Sequence, residues 1–282
     1  MSFCQHQKYK YYNNEERTFE KGFNNFRNNK ENWKYDFAKG NEGYLPNTEY
    51  EQSILSQLVF INLVNSFKTN IKAEMFEPGL SIKVKKNRIS KTFLFDVMHN
   101  SGESCQPCQQ ARKLHYNNGK MKFEKIYHTI GNFAPVPRTI ISKNYGPNLQ
   151  QIHLQLNELW PWFLKFLKDN WEEFPTEVAE IMTFEEYMVF TCQQMYFSNI
   201  FESVYEIYNK NPNICWEEDI IQPLLGWNIS KDDTLISFNE LLKSDNVRNI
   251  EDLDKRIMFL IELRGRCIMY LLQPKVTLDK KF

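Results

Sequence analysis

Long apolar runs are missing from this sequence of 282 residues; stretches such as Met258 to Ile261 are far too short to cross a bilayer. The opening residues are polar and lack the apolar core of a secretory signal, so a cytoplasmic protein is expected. An excess of one charge is missing too. Thirty-five Lys and Arg balance thirty-five Asp and Glu, so no molecule-wide field draws the protein to nucleic acid or to an anionic membrane, and any such binding has to be local. Cysteine is sparse. Six residues (Cys4, Cys105, Cys108, Cys192, Cys215, Cys267) are spread over the chain, too thinly for the disulfide framework of a small secreted domain, and reduced thiols are expected.

What is present is the composition of a folded protein, 42% hydrophobic and 25% charged, with an aromatic share of 15% that supplies large side chains for burial. There is no internal repeat and no linker, which points to one continuous unit. Residues 1–45 read as an irregular arm rich in Asn, Lys and Glu, whose interleaved rings (Tyr11, Tyr12, Phe19, Phe23, Phe26, Trp33, Tyr35, Phe37) would pack it on the body. Residues 46–282 read as a single domain, with a sheet and site region over 80–146 and a helical region over 147–274. The abundance of Asn, Lys, Ile, Phe and Tyr is that of an AT-rich coding bias and suggests a low-GC bacterium or its phage.

Periodicity predicts a helix from Thr48 to Glu74, where Thr48 and Glu51 have capping-box spacing and Ile54, Leu58, Ile61 and Val64 share one face. Pro78 and Gly79 end it. Alternation at Leu80, Ile82 and Val84 and an apolar run over Thr92 to Met98 predict a hairpin turning near Asn87, and a third strand is expected over Met121 to His128. From Asn148 the pattern is helical, with Pro161 expected to kink or divide the first helix. Thr183 and Glu186 form a second capping box before a long helix to about Tyr208. Short helices follow near Trp216 to Leu225 and Phe238 to Lys243, and a last one runs from Ile250 to Gln273, stopped by Pro274. The expected class is α+β, mostly α, with a small antiparallel sheet in the first half packed on a C-terminal helical bundle.

Chemistry-bearing residues concentrate between Met98 and Asn132. Cys105 and Cys108 form a Cys-x-x-Cys pair whose thiolates can reach one tetrahedral ion, and His99 and His115 complete a candidate zinc shell. A firm zinc assignment needs a second such pair, and coincidental cysteines in a polar loop explain the pattern as well. The run Cys105-Gln106-Pro107-Cys108, after an apolar strand ending in Phe95-Asp96, also resembles a thioredoxin active site, which implies thiol–disulfide chemistry. Against that, Val136-Pro137 comes too early for that family's later proline.

The other candidate is Tyr127-His128-Thr129-Ile130-Gly131-Asn132-Phe133, followed by Pro135 and Pro137. A glycine turn here can present His128 as acid or base, with Asn132 and Thr129 holding a substrate. The alternative is that Asn132 closes the turn on its own backbone and His128 is a satisfied strand residue. The order Arg112 to His115, then His128 to Asn132 with prolines beyond and a long aromatic-rich helix, resembles uncharacterised proteins of low-GC bacteria that carry a Thr-Ile-Gly-Gly or Thr-Ile-Gly-Asn turn. That resemblance covers about residues 90–200 and implies no activity.

Lys83, Lys85, Lys86, Arg88 and Lys91 make a basic hairpin, a candidate phosphate-binding patch if they face one way and a guarded strand edge if they do not. Arg264 and Arg266 flank Gly265 beside the apolar face of the last helix, where a buried salt bridge with Glu262 or another acid is expected. Two functions stand side by side. One is an enzyme acting on a nucleotide or nucleic acid through His128, Asn132 and Thr129, with the hairpin binding phosphate. The other is a non-catalytic interaction protein of a bacterial or phage conflict system, with zinc as a structural clip.

Overall fold

The computed structural model describes residues 21–35, 37, 54–77, 81–98, 126–138, 160–172, 178–196, 198–211, 213–226 and 247–273. The fold is mostly helical α+β, with one four-stranded antiparallel sheet among these residues. No helix among them is long and apolar enough to cross a membrane.

Helix α1 (Ile54–Ser66) buries Ile54, Leu55, Val59, Phe60, Leu63 and Val64. The helix expected to reach Glu74 stops eight residues earlier, because alternation takes over from helical spacing. The Thr69 hydroxyl accepts a bond from the Ile71 N–H at 3.2 Å, and strand β1 (Ile71–Glu77) begins there. Ile71 and Ala73 turn inward while Lys72 and Glu74 face solvent, a period of two that pairing with the next strand makes decisive. Strands β2 (Ser81–Lys86) and β3 (Ile89–Val97) form the hairpin expected near Asn87. Asn87 takes the left-handed backbone (φ 58°) that a tight two-residue turn needs, a conformation asparagine tolerates better than most residues.

Strand β4 (Phe133–Pro137) completes the order β1-β2-β3-β4, with Leu94 opposite Val136 and Phe95 opposite Pro135. Its two prolines cannot donate to a further ladder, which suits an edge position, and all five of its residues are buried. The third strand expected over Met121 to His128 is not formed where the chain is described. Residues 126–127 are helical, and a 3₁₀ turn, Ile130–Asn132, leads straight into β4. Residues 121–125 lie outside the described residues.

The opposite edge of the sheet is closed by side chains. Asn65 of α1 donates from Nδ2 to the Ala73 carbonyl and accepts from the Ala73 N–H, both at 2.9 Å. Gln57, one helical face earlier, donates to the Glu77 carbonyl at 3.1 Å. Two amides thereby occupy the Ala73 N–H and the Ala73 and Glu77 carbonyls, groups that another chain would otherwise pair with.

The inner face of the sheet packs on helices: Phe60 meets Phe95 at 5.5 Å, and Phe93 stacks on Tyr187 at 6.4 Å. After α2 (Trp160–Asn170), which carries Pro161 in its first described turn, come the short α3 (Val178–Ile181) and α4 (Phe184–Phe190). The Thr183 and Glu186 capping box forms in both directions. The long helix expected to continue to Tyr208 is broken instead. The Cys192 N–H bonds to Val189 O and the Gln193 N–H to Met188 O, with Cys192 left-handed (φ 53°), the bonding of a Schellman stop in which cysteine replaces the usual glycine. Helix α5 (Ser198–Lys210) then starts afresh. A π-helical turn, Trp216–Ile221, leads into α6 (Gln222–Leu225), and α7 (Val247–Leu272) is the longest element. It packs against α1, the 3₁₀ turn Lys30–Lys34 and the turn Ile130–Asn132. The described part of the arm joins the same core, with Phe26, Tyr35, Phe37 and Phe133 in a chain of ring contacts between 5.2 and 5.8 Å.

Asn65→Ala should expose the β1 edge and remove two hydrogen bonds, lowering unfolding stability by about 1–2 kcal/mol. Concentration-dependent self-association in size-exclusion chromatography with light scattering should accompany the loss; a variant as monodisperse as the parent would show that the edge is guarded by something else.

Candidate functional site

The segment from Ile126 to Asn132 is a compact turn closed by its own polar groups. The Thr129 hydroxyl donates to the Ile126 carbonyl at 2.7 Å, and Asn132 donates from Nδ2 to the Tyr127 carbonyl at 2.9 Å. The Asn132 N–H bonds to Thr129 O at 2.9 Å. Its ends are tied to neighbours: Met98 N–H donates to the Asn132 carbonyl at 2.7 Å, and Phe37 N–H to the His128 carbonyl at 3.1 Å. His128, Thr129 and Asn132 are thus brought together, but in different environments. Thr129 and Asn132 are fully buried. His128 is half-buried, with its ring edge-on to Tyr127 at 4.6 Å.

The turn is held in place by a residue 133 and 134 positions beyond the two carbonyls it bonds. Arg264 of α7 is wholly buried and directs Nη1 to the carbonyls of Ile130 (3.1 Å) and Gly131 (2.8 Å), and Nε to the carbonyl of Thr191 (2.8 Å). Its guanidinium also lies 5.6 Å from the centre of the Phe60 ring. A single planar fork therefore joins the turn, the end of α4 and helices α1 and α7, a geometry that lysine cannot reproduce. The salt bridge expected for both arginines forms only for Arg266, whose Nε reaches Glu262 at 2.9 Å. Arg264 bonds to backbone carbonyls and to no carboxylate among the described residues. Burial lowers its pKa from the ordinary arginine value, opposed by the nearby Tyr196, Cys192 and Tyr187; the group nonetheless stays charged at neutral pH.

The close approach needs glycine at 131, and Gly265 fits a tight space beside Trp33. A Cβ at Gly131 would collide with the Ile261 carbonyl and sit 3.1 Å from the Gly265 nitrogen, and one at Gly265 would meet the Trp33 Cβ at 3.2 Å. Behind the turn runs a buried polar chain: Trp160 Nε1 donates to Gln193 (2.7 Å), Gln193 to the Thr191 hydroxyl (2.7 Å), and that hydroxyl to the Tyr187 carbonyl (2.7 Å). The Tyr187 hydroxyl in turn donates to the Pro135 carbonyl of β4 at 2.9 Å. Sequence reasoning missed this set. The available signal was an arginine on the apolar face of the last helix beside a glycine.

Two thiols sit against the same arginine. Burial pushes Cys192 up to about 12 and Cys267 well above the ordinary thiol value, with the Arg264 charge acting in the opposite direction. Cys215 is exposed.

The basic hairpin divides between two faces. Register puts Lys72, Lys83 and Lys85 on the outer face of the sheet and Lys86 on the other, with Arg88 in the turn. Lys83 lies 3.6 Å from the Phe76 ring centre, and Lys85 pairs with Glu74. The proposed zinc ligands His99, Cys105, Cys108 and His115 lie outside the described residues. Among the described residues no group of three or more His, Cys, Asp or Glu side chains gathers as a metal site.

Removing the fork leaves the buried Gly131 and Thr191 carbonyls unsatisfied and takes one of two donors from Ile130, so Arg264→Met should cost about 3–5 kcal/mol. Gly131→Ala should be at least as damaging, and urea unfolding of either variant within about 1 kcal/mol of the parent would contradict this packing. Thiol reactivity needs the thiolate. At pH 8, iodoacetamide should modify Cys215 in the native protein and spare Cys192 and Cys267 until urea is added, as read by peptide mass spectrometry. Because the folded pKa values of these two thiols are raised, the unfolded chain ionises first; the Cys192 contribution to stability should be intact below about pH 9 and lost as pH rises toward 12, and Cys267 acts in the same direction.

Comparison of the chain with protein-family models, with curated proteins and with solved structures found no match.

Proposed function

We propose that this is a non-catalytic nucleic-acid-binding protein whose contact surface is the outer face and hairpin end of the sheet. The observation that carries the proposal is a local surplus of positive charge in a molecule that is neutral as a whole. Because Ile71 pairs with Lys86, the entry to β1 and the β2–β3 turn lie at the same end of the sheet, which gathers Lys68, Lys86 and Arg88 there. Lys72, Lys83 and Lys85 continue the charge along the outer face. The acids of β1 are already engaged, Glu74 by Lys85 and Glu77 by Arg138 at 3.9 Å. Lys68, Lys72, Lys86 and Arg88 have no acid partner among the described residues. Guarding the sheet edge does not account for these cations, since Asn65 and Gln57 already close it. Cations that are not neutralised at home are available to phosphates.

The enzymatic alternative keeps His128 as acid or base. It has less support, because Thr129 and Asn132 are withdrawn from solvent and bonded to the backbone of their own turn. A zinc clip at His99, Cys105, Cys108 and His115 belongs to the binding proposal as a structural part, not a chemical one.

Fluorescence anisotropy with a labelled single-stranded oligonucleotide tests the proposal. Engaging four cations should give a log–log salt slope of about −3, and Lys72→Glu with Arg88→Glu should weaken binding at least about tenfold at unchanged melting temperature. His128→Ala should leave binding as it is. Binding that is absent at low salt, or indifferent to the charge reversal, would refute this surface.

A further inference from the structure

A second site, independent of the sheet, lies where the 3₁₀ turn Lys30–Lys34, the π-helical turn Trp216–Ile221 and helix α7 meet. They line a small, shallow cleft that is open to solvent. Lys30, Glu31, Glu217 and Arg266 form its rim, and Trp216, Met269 and Tyr270 supply an apolar strip between them. π-Helical turns are rare and recur at functional sites because the widened turn re-aims the side chains it carries. Here it places Trp216 and Glu217 side by side in the cleft wall.

The rim is preorganised on one side and exchangeable on the other. Arg266 is held between two indoles, 5.0 Å from the Trp33 ring centre and 4.7 Å from that of Trp216, while its Nε and Nη2 converge on one oxygen of Glu262 at 2.9 Å. Its Nη1 edge bonds nothing among the described residues. Lys30 and Glu217 pair at 3.0 Å, and Lys34 and Glu31 at 2.6 Å, both across exposed surface. Exposed pairs of this kind contribute little stability and re-pair with a ligand at small cost. Lys34 beside Glu31, and Lys30 beside Glu217, hold those carboxyls below the usual range, so both are ionised at neutral pH.

Two cations and two carboxylates around an apolar strip give a rim with no net charge, which repels neither sign and favours neither. A polyanion finds two acids in its way. A molecule carrying both charges finds a partner for each. We infer that this cleft binds a small zwitterion of the α-amino-acid class with an apolar or aromatic side chain. The ligand carboxylate takes the Nη1 edge of Arg266 and the Lys30 ammonium, its ammonium takes Glu31 and Glu217, and its side chain lies along Trp216, Met269 and Tyr270.

Isothermal titration of the full chain with free L-phenylalanine tests this, with phenethylamine and 3-phenylpropionate as ligands that each lack one charge. L-Phenylalanine should bind saturably, and each truncated ligand at least about tenfold more weakly, since each engages only one half of the rim. Lys30→Met and Glu31→Gln, both on the exposed rim, should each weaken L-phenylalanine about tenfold without changing the melting temperature. An oligonucleotide should not compete with it. Absence of a saturable signal up to about 20 mM, or equal binding of either truncated ligand, would overturn the inference. So would rim variants that bind as the parent does.

Discussion

One buried guanidinium holds the described structure together. Arg264 lies where the Ile126–Asn132 turn, the end of α4, and helices α1 and α7 converge, and it bonds to the carbonyls of Ile130, Gly131 and Thr191. The Ile130 carbonyl also accepts the Phe133 N–H that closes its 3₁₀ turn, whereas the Gly131 and Thr191 carbonyls rely on the arginine. A buried charge is costly in isolation, and three carbonyl dipoles oriented on one planar fork offset much of that cost. The dependence is mutual: the turn and the α4 stop need the donor, and the cation needs their oxygens. It also explains why glycine stands at 131, where turn and helix nearly touch.

The sheet shows a related economy of polar groups. Its β1 edge is satisfied by two side-chain amides from α1 and its β4 edge is proline-bearing and buried, so neither edge presents an open ladder to a partner. What it does present is charge on its outer face and at the hairpin end. The cleft beneath Arg266 differs in kind, because opposite charges alternate there around aromatic and aliphatic groups. The two surfaces therefore differ in chemistry, and the two proposals follow that difference: repeated phosphates for the first, a molecule that is both cation and anion for the second.

Local patterns carried much of the architecture. The hairpin at Asn87, the capping box at Thr183 and the extent of the last helix were all legible, since each depends on neighbours within a few residues. Where expectation and structure part, a long-range contact decided the outcome. Residues 71–77 follow a helix after a four-residue bend, and pairing with β2 fixes them as a strand. The helix through Thr191 is interrupted because Gln193 and Thr191 turn toward Trp160 and Arg264, partners that lie far away in sequence. At the candidate site the residues Thr129 to Asn132 were legible as a turn, but their full burial was not, because burial is set by α7 crossing over them.

A mostly helical α+β protein, a basic hairpin and a polar glycine turn at His128 to Asn132 were written into local pattern, because side-chain periodicity and turn chemistry act over a few residues. Only the tertiary structure decided that the hairpin cations divide between two faces, that Thr129 and Asn132 are enclosed, that Arg264 needs carbonyls instead of an acid, and that Arg266 stands over a cleft between two indoles. Those outcomes depend on which distant segments share a neighbourhood, and periodicity within one segment carries no record of what will be packed against it.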